Sequence, residues 1–296
     1  MSGSLLWRRV APFAFALLWS TGWISAGAAA PYADPLTFLL VRFSCAAAIL
    51  AGLVAISSAP WPATRAETGH IIVSGLLIHA AYLGAVWWAV AHGIPAGVSG
   101  VIAALQPILT ALFAPWLLGE RLSARQWLGV VLGFLGILLV LEPKIATAIS
   151  AGSLPAGIPL AINVGGMVAV TLGSIYQKRF VPTGDLRTMT LIQYLASAAV
   201  MLPAAFLLEP MRIEWNWIVA ATLAWSVLAL SIGGVALYLM LIRRGAVSQA
   251  AALIYLVPPA AAIEAWFLFG EKLSPIQLAG IVVTAMGVAW AVKRQG

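Results

Sequence analysis

The chain has 296 residues, of which 62% are hydrophobic and 8% charged. An average soluble domain carries about 25% charged residues, so a shortage this deep excludes a soluble globular enzyme. Lys and Arg number 16 against 9 Asp and Glu, and the basic residues sit in short gaps between apolar runs. That is the pattern of membrane-topology signals rather than of a nucleic-acid patch, and no nucleic-acid partner is expected.

At about 20 apolar residues per bilayer crossing, the chain reads as an all-α polytopic membrane protein, with membrane lipids as its surroundings. In chain order the apolar runs place ten spans at about 10–30, 36–58, 69–92, 95–118, 126–142, 156–180, 187–208, 216–242, 246–269 and 274–292. The gaps hold breakers such as Pro60-Trp61-Pro62, Gly93-Ile94-Pro95 and Pro182-Thr183-Gly184. These runs are twice the length of a barrel strand and lack alternation with period two. Arg8, Arg9 and the Ala28–Ala30 run also fit a cleaved signal peptide, but the internal repeat needs the first span as a helix. The single cysteine, Cys45, lies in an apolar run and fits a packing role, which leaves no intrachain disulfide.

Shifting the sequence by 151 positions lays one half on the other without a gap. Gly119-Glu120-Arg121-Leu122-Ser123 falls on Gly270-Glu271-Lys272-Leu273-Ser274, and Pro107, Gln126, Gly129 and Gly136 fall on Pro258, Gln277, Gly280 and Gly287. The chain therefore reads as two five-helix repeats, 1–145 and 152–296. An odd number of crossings starts the second copy from the opposite side, so the copies are inverted about an axis in the membrane plane. Alternating access around a central cavity follows from that arrangement. With the N-terminus inside, twelve Lys and Arg fall on cytoplasmic segments against three (Lys144, Arg212, Lys272) on the other side. Both termini are then cytoplasmic. The repeated pentapeptide has a local explanation: a glycine ends one helix, and Ser123 or Ser274 caps the next with a glutamine three residues on.

Ten spans, the 5+5 repeat and a Gly-Glu-basic-Leu-Ser element closing the fourth helix of each half resemble the EamA-type branch of the drug/metabolite transporter superfamily. Within it the chain is most similar to the YddG-type exporters of aromatic and other neutral amino acids. The resemblance covers about residues 5–294. It implies efflux of small metabolites across the cell inner membrane, through a cavity lined by helices one to four and six to nine.

Polar groups at mid-span are costly in hydrocarbon unless they face a cavity or a partner, and these are the site candidates. Trp19, Ser20 and Trp23 occupy the middle and outer part of the first span; Trp19 lies too deep for an interfacial belt and either packs between helices or walls a cavity. Arg42 in the second span and Glu264 in the ninth lie at matched depth with opposite sign. Either they pair as an outer gate, or Arg42 reaches outward while Glu264 faces a vestibule; Asn163 lies at similar depth. His79 and Tyr82 share a helix face in the third span and either line the cavity or bond a neighbouring helix. Gln106 precedes Pro107, and Tyr255 precedes Pro258. Each proline frees a carbonyl one turn earlier, so both are candidate gating points or plain kinks. Trp19, Ser20, Trp23, His79, Tyr82, Gln106 and Tyr255 form the expected substrate-binding set. Arg42, Glu264, Asn163, Pro107 and Pro258 form the expected gate.

No nucleotide-binding loop and no His/Cys/Asp spacing for a metal is present in the sequence, so neither cofactor nor metal is expected. An intramembrane enzyme is the rival of another class, although its usual paired acids or Ser/His/Asp set are missing from any one depth. Few charges and many aromatics suit a net-neutral zwitterion with an apolar side chain. Efflux of other amphipathic metabolites or drugs is the alternative within the same fold.

Overall fold

The structure, a computed structural model, describes residues 2–94, 96–119, 122–150, 157–244, 251–260, 263 and 273–292. Among these residues the regular elements are helices, joined by one isolated β-bridge between Ala33 and Ile213. They are α1 (Ser2–Ala29), α2 (Pro35–Ser57), α3 (Arg65–Ala91), α4 (Ala96–Ala103), α5 (Leu105–Leu118) and α6 (Ala124–Ser150). After these come α7 (Ile158–Phe180), α8 (Leu186–Leu208), α9 (Trp217–Arg243), a 3-10 turn at Leu253–Leu256, and α10 (Pro275–Val292). Seven stretches among the described residues are long and apolar enough to cross a bilayer.

The helix ends follow from local chemistry. Ser123 accepts from the Gln126 amide at 3.3 Å while the Gln126 side chain accepts from the Ser123 amide at 2.9 Å, and Ser274 with Gln277 repeats the box at 3.3 and 3.0 Å. Gly119 ends α5 at φ +71°, where a side chain would be strained. At the start of α3 the Thr64 hydroxyl accepts from the Glu67 amide at 3.0 Å, and the Glu67 carboxylate accepts from the Ala63 amide at 2.9 Å. The fourth expected span is broken: α4 stops at Ala103 and α5 starts at Leu105. Pro107 has no N–H for the Ala103 carbonyl, which is the reason for the break. Its repeat mate Pro258 follows the 3-10 turn in the same way. Glu120, Arg121, Glu264, Gly270, Glu271 and Lys272 lie outside the described residues.

The helices gather into two compact units, each drawn from both halves of the sequence. One comprises 1–23, 95–155 and 245–296, and the other 24–94 and 156–244. In the first, α6 packs on α10 through glycines. A Cβ on Gly129 would lie 2.6 Å from the Gly287 carbonyl oxygen, and one on Gly280 would lie 2.8 Å from that of Gly136. Only hydrogen fits at such a crossing. Gln126 Nε2 donates to the Ala291 carbonyl at 3.4 Å and Gln277 Nε2 to the Val140 carbonyl at 3.3 Å. Under the 151-residue shift each member of this pair of bonds becomes the other. The two helices run antiparallel.

In the second unit α2 packs antiparallel on α8. The Glu209 carboxylate, just past the end of α8, accepts from the Leu36 and Thr37 amides and the Thr37 hydroxyl at 2.8–2.9 Å. At the other end the Thr188 hydroxyl donates to the Pro60 carbonyl at 2.9 Å. Midway, Phe43 stacks on its own repeat mate Tyr194, with centroids 5.6 Å apart and planes 16° apart. α3 lies against α7 and α8, and α9 against α2.

Candidate functional site

Both α3 and α9 widen into π-helix at mid-length, over Leu76–Ala81 and Ser226–Gly234. Under the 151-residue shift the first segment falls within the second, on 227–232. A π turn misaligns the i→i−4 ladder, and in α9 this segment meets side chains from α2 and α8. Ser231 accepts from the Tyr194 hydroxyl through its carbonyl oxygen at 2.6 Å, and through Oγ from Arg42 Nε at 2.8 Å.

Arg42 lies between α2, α3 and α9, only 4% exposed, with its guanidinium carbon 6.0 Å from the Trp87 ring centroid. It makes no ion pair among the described residues. His79, in the π segment of α3, is 1% exposed. Its Nε2 lies 3.4 Å from Gln193 Oε1, and its ring is 4.7 Å from Tyr194 and 6.3 Å from Phe43. Gln193 Nε2 donates to Ser74 Oγ at 3.0 Å and to Gln177 Oε1 at 2.8 Å. α8 reaches this depth because α3 offers a glycine: a Cβ on Gly75 would lie 2.6 Å from that of Gln193. Tyr82 and Asn163 are buried in the same unit. Buried Gln177 Nε2 and Ser226 Oγ have no hydrogen-bond partner among the described residues.

The expected substrate-binding set is thus divided. His79 and Tyr82 belong to this unit, with Arg42 and Asn163. Trp19, Ser20, Trp23, Gln106 and Tyr255 belong to the other, with Pro107 and Pro258. There Trp19 packs on Phe15 at 5.0 Å, Trp23 Nε1 donates to Ser99 Oγ at 3.4 Å, and the Ser20 hydroxyl bonds back to the Leu17 carbonyl at 2.8 Å. Gln106 is buried; Tyr255 is fully buried, its ring against Gly133 and its hydroxyl without a hydrogen-bond partner among the described residues.

Sequence reasoning missed Gln193, Ser231, Tyr194 and Trp87. A signal for the first was available, since Gln193 is the mate of Arg42 under the 151-residue shift. Two polar residues recur there at the middle of matched apolar helices. Among the described residues no three His, Cys, Asp or Glu side chains gather to hold a metal.

The model of the EamA-like transporter family matches the chain twice, over residues 10–142 and 156–293. The chain belongs to the EamA-like transporter family. It is a multi-pass transporter of the inner membrane. Its relatives include the uncharacterized inner membrane transporter YedA of Escherichia coli (strain K12), 26% identical over 93% of this chain and 87% of that protein. The uncharacterized transporter YvbV of Bacillus subtilis (strain 168) is 24% identical over 92% of this chain and 87% of its own length. A probable amino-acid metabolite efflux pump of Salmonella typhimurium is 23% identical over 72% of this chain and 73% of that one. A protein of known crystal structure superposes with a TM-score of 0.74 at 22% identity, over 95% of this transporter and 96% of that chain. That likeness shows the fold.

Proposed function

We propose that this transporter exports aromatic and other neutral amino acids by alternating access, through ten crossings in two inverted five-helix repeats with both termini cytoplasmic. One observation carries the substrate class. The buried polar interior around His79 is built of aromatic rings, neutral amides and hydroxyls around a single guanidinium, Arg42. Such a lining suits a small amino acid with an apolar side chain and disfavours strong cations. The relative named as an amino-acid metabolite efflux pump supports the same reading.

The inverted repeat is supported by the α6–α10 and α2–α8 seams, where repeat mates meet in antiparallel pairs. A two-fold axis in the membrane plane produces contacts of that kind, residue i with j and the mate of j with the mate of i. The substrate set is then His79 and Tyr82 with Trp19, Ser20, Trp23, Gln106 and Tyr255, while the breaks at Pro107 and Pro258 serve as gating points. The outer gate is Arg42 with Glu264, with Asn163 at the same level, and the Ser231 bond to Nε leaves the terminal nitrogens of Arg42 for it.

Transport of a panel of radiolabelled amino acids into proteoliposomes tests the proposal. Saturable movement of phenylalanine or tryptophan supports it. Movement of a cationic dye and of no amino acid replaces it with drug efflux. His79→Ala and Tyr82→Ala are each expected to cut transport of the amino acid about tenfold or more while the protein stays folded. Wild-type rates in both variants remove the pair from the site.

A further inference from the structure

Arginine stays protonated under physiological conditions, and Arg42 holds its charge seven residues into α2 from Pro35, about 10 Å along the helix. The ion pairs among the described residues are Arg187 with Asp185 and Arg212 with Glu214, both near helix ends. Arg42 has no acid. Its Nε is occupied by Ser231 Oγ and its face by Trp87, but neither terminal nitrogen makes a hydrogen bond among the described residues. What remains is the planar fork that meets a carboxylate with two parallel bonds. A guanidinium at that depth is costly without an answering group.

The repeat shows that this is a property of one half. The mate of Arg42, Gln193, is answered by Ser74, Gln177 and His79. In the second half the Gln193 amide at the matched position is taken up by its neighbours, whereas in the first half only Nε of the Arg42 guanidinium is hydrogen-bonded among the described residues. Trp87 is in reach of the guanidinium, and the Tyr194 hydroxyl shares Ser231 with it. A molecule bound to the fork therefore meets aromatic surface next to its charged end.

We propose that the Arg42 guanidinium is the anchor for the carboxylate of the transported molecule, with Ser231 fixing its orientation through Nε and the neighbouring rings receiving an apolar body. The inference rests on the reading of the chain as an amino-acid exporter and deepens it: the recognised group is the carboxylate, and the substrate class is a monocarboxylate with an apolar or aromatic side chain.

The test uses the full-length transporter, with binding read by thermal shift in detergent and movement read in proteoliposomes. The probes are L-phenylalanine, phenylpyruvate, L-phenylalaninamide and phenethylamine. The wild type is expected to prefer the two carboxylates over the amide and the amine by about tenfold or more. Arg42→Gln should lose that preference while binding the amide as before. Arg42→Lys, which keeps the charge without the fork, should fall between. Where the Arg42 variants do not fold, Ser231→Ala decides: it is expected to weaken phenylalanine several-fold and leave the amide unchanged. A wild-type preference in Arg42→Gln, or equal weakening of both probes in Ser231→Ala, overturns the proposal. Transport of phenylpyruvate without any amino acid rejects the amino-acid reading and keeps the anchor. Equal transport of phenylalanine and its amide rejects the anchor and keeps the export reading. Binding of none of the four probes overturns both.

Discussion

Glu209 does at residue scale what no local motif announces. Its carboxylate answers two open amides at the start of α2 from beyond the far end of α8, so one side chain caps one helix and ties it to another. Glu209→Ala is expected to lower stability by about 2 kcal/mol and Glu209→Gln by about 1 kcal/mol, read from unfolding in detergent by tryptophan fluorescence. Asp185 plays a local version of the part. Hydrogen bonds from the Arg187 side chain hold its carboxyl down at about 2. A depressed value means that the stabilisation is complete above the unfolded value near pH 4 and is lost as the pH falls toward 2. Asp185→Asn should therefore cost under about 1 kcal/mol at pH 7, because the pair is partly solvated. The difference from wild type should close near pH 2 in a titration of unfolding midpoints. The Ser123–Gln126 and Ser274–Gln277 caps were legible in the sequence because a capping box is complete within four residues. Glu209 was not legible, because its partners lie 172 and 173 residues away.

At the scale of the element, glycine decides which helices touch. Gly129 and Gly280 occupy repeat-matched places on α6 and α10, and a methyl group on either meets backbone. Gly129→Ala and Gly280→Ala should each destabilise by about 2–3 kcal/mol, as overpacking does, and to the same degree within about 1 kcal/mol. Gly52 in α2 is the contrast, with nothing within 4 Å of an added Cβ. Gly52→Ala should be neutral or stabilise by about 0.5–1 kcal/mol. Melting of the three variants in detergent checks both statements; unequal losses at Gly129 and Gly280 would count against the two-fold seam. The apolar runs located α2, α3, α7 and α8 to within a few residues of their observed ends, since length and hydropathy are local quantities. The π segments in α3 and α9 were not legible. Their apolar sequences suit an α-helix equally well, and in α9 the wider turn comes with a contact from another helix, the Tyr194 hydroxyl on the Ser231 carbonyl.

At the scale of the whole molecule, the distribution of Lys and Arg predicts which loops face the cytoplasm. In a Cys45→Ala background, Ala63→Cys should react with a membrane-impermeant maleimide only in inverted vesicles, and Glu214→Cys only from outside intact cells. The reverse pattern would overturn the orientation, and labelling of both from one side would overturn the inverted repeat. The sequence by itself determined that this chain lives in a bilayer, where its apolar runs lie, and that residues such as Pro107 and Pro258 recur at a constant offset. Composition, run length and a constant offset of 151 residues are all properties of the linear chain. Only the tertiary structure decided that each compact unit takes helices from both halves, that Gln193 closes on Ser74 and Gln177, and that Arg42 meets Ser231 and Trp87. The physical reason is that a polar side chain in an apolar helix needs a partner, while its own helix does not say which neighbour supplies it. That choice is made by close packing at positions such as Gly75 and Gly129, where the backbones approach.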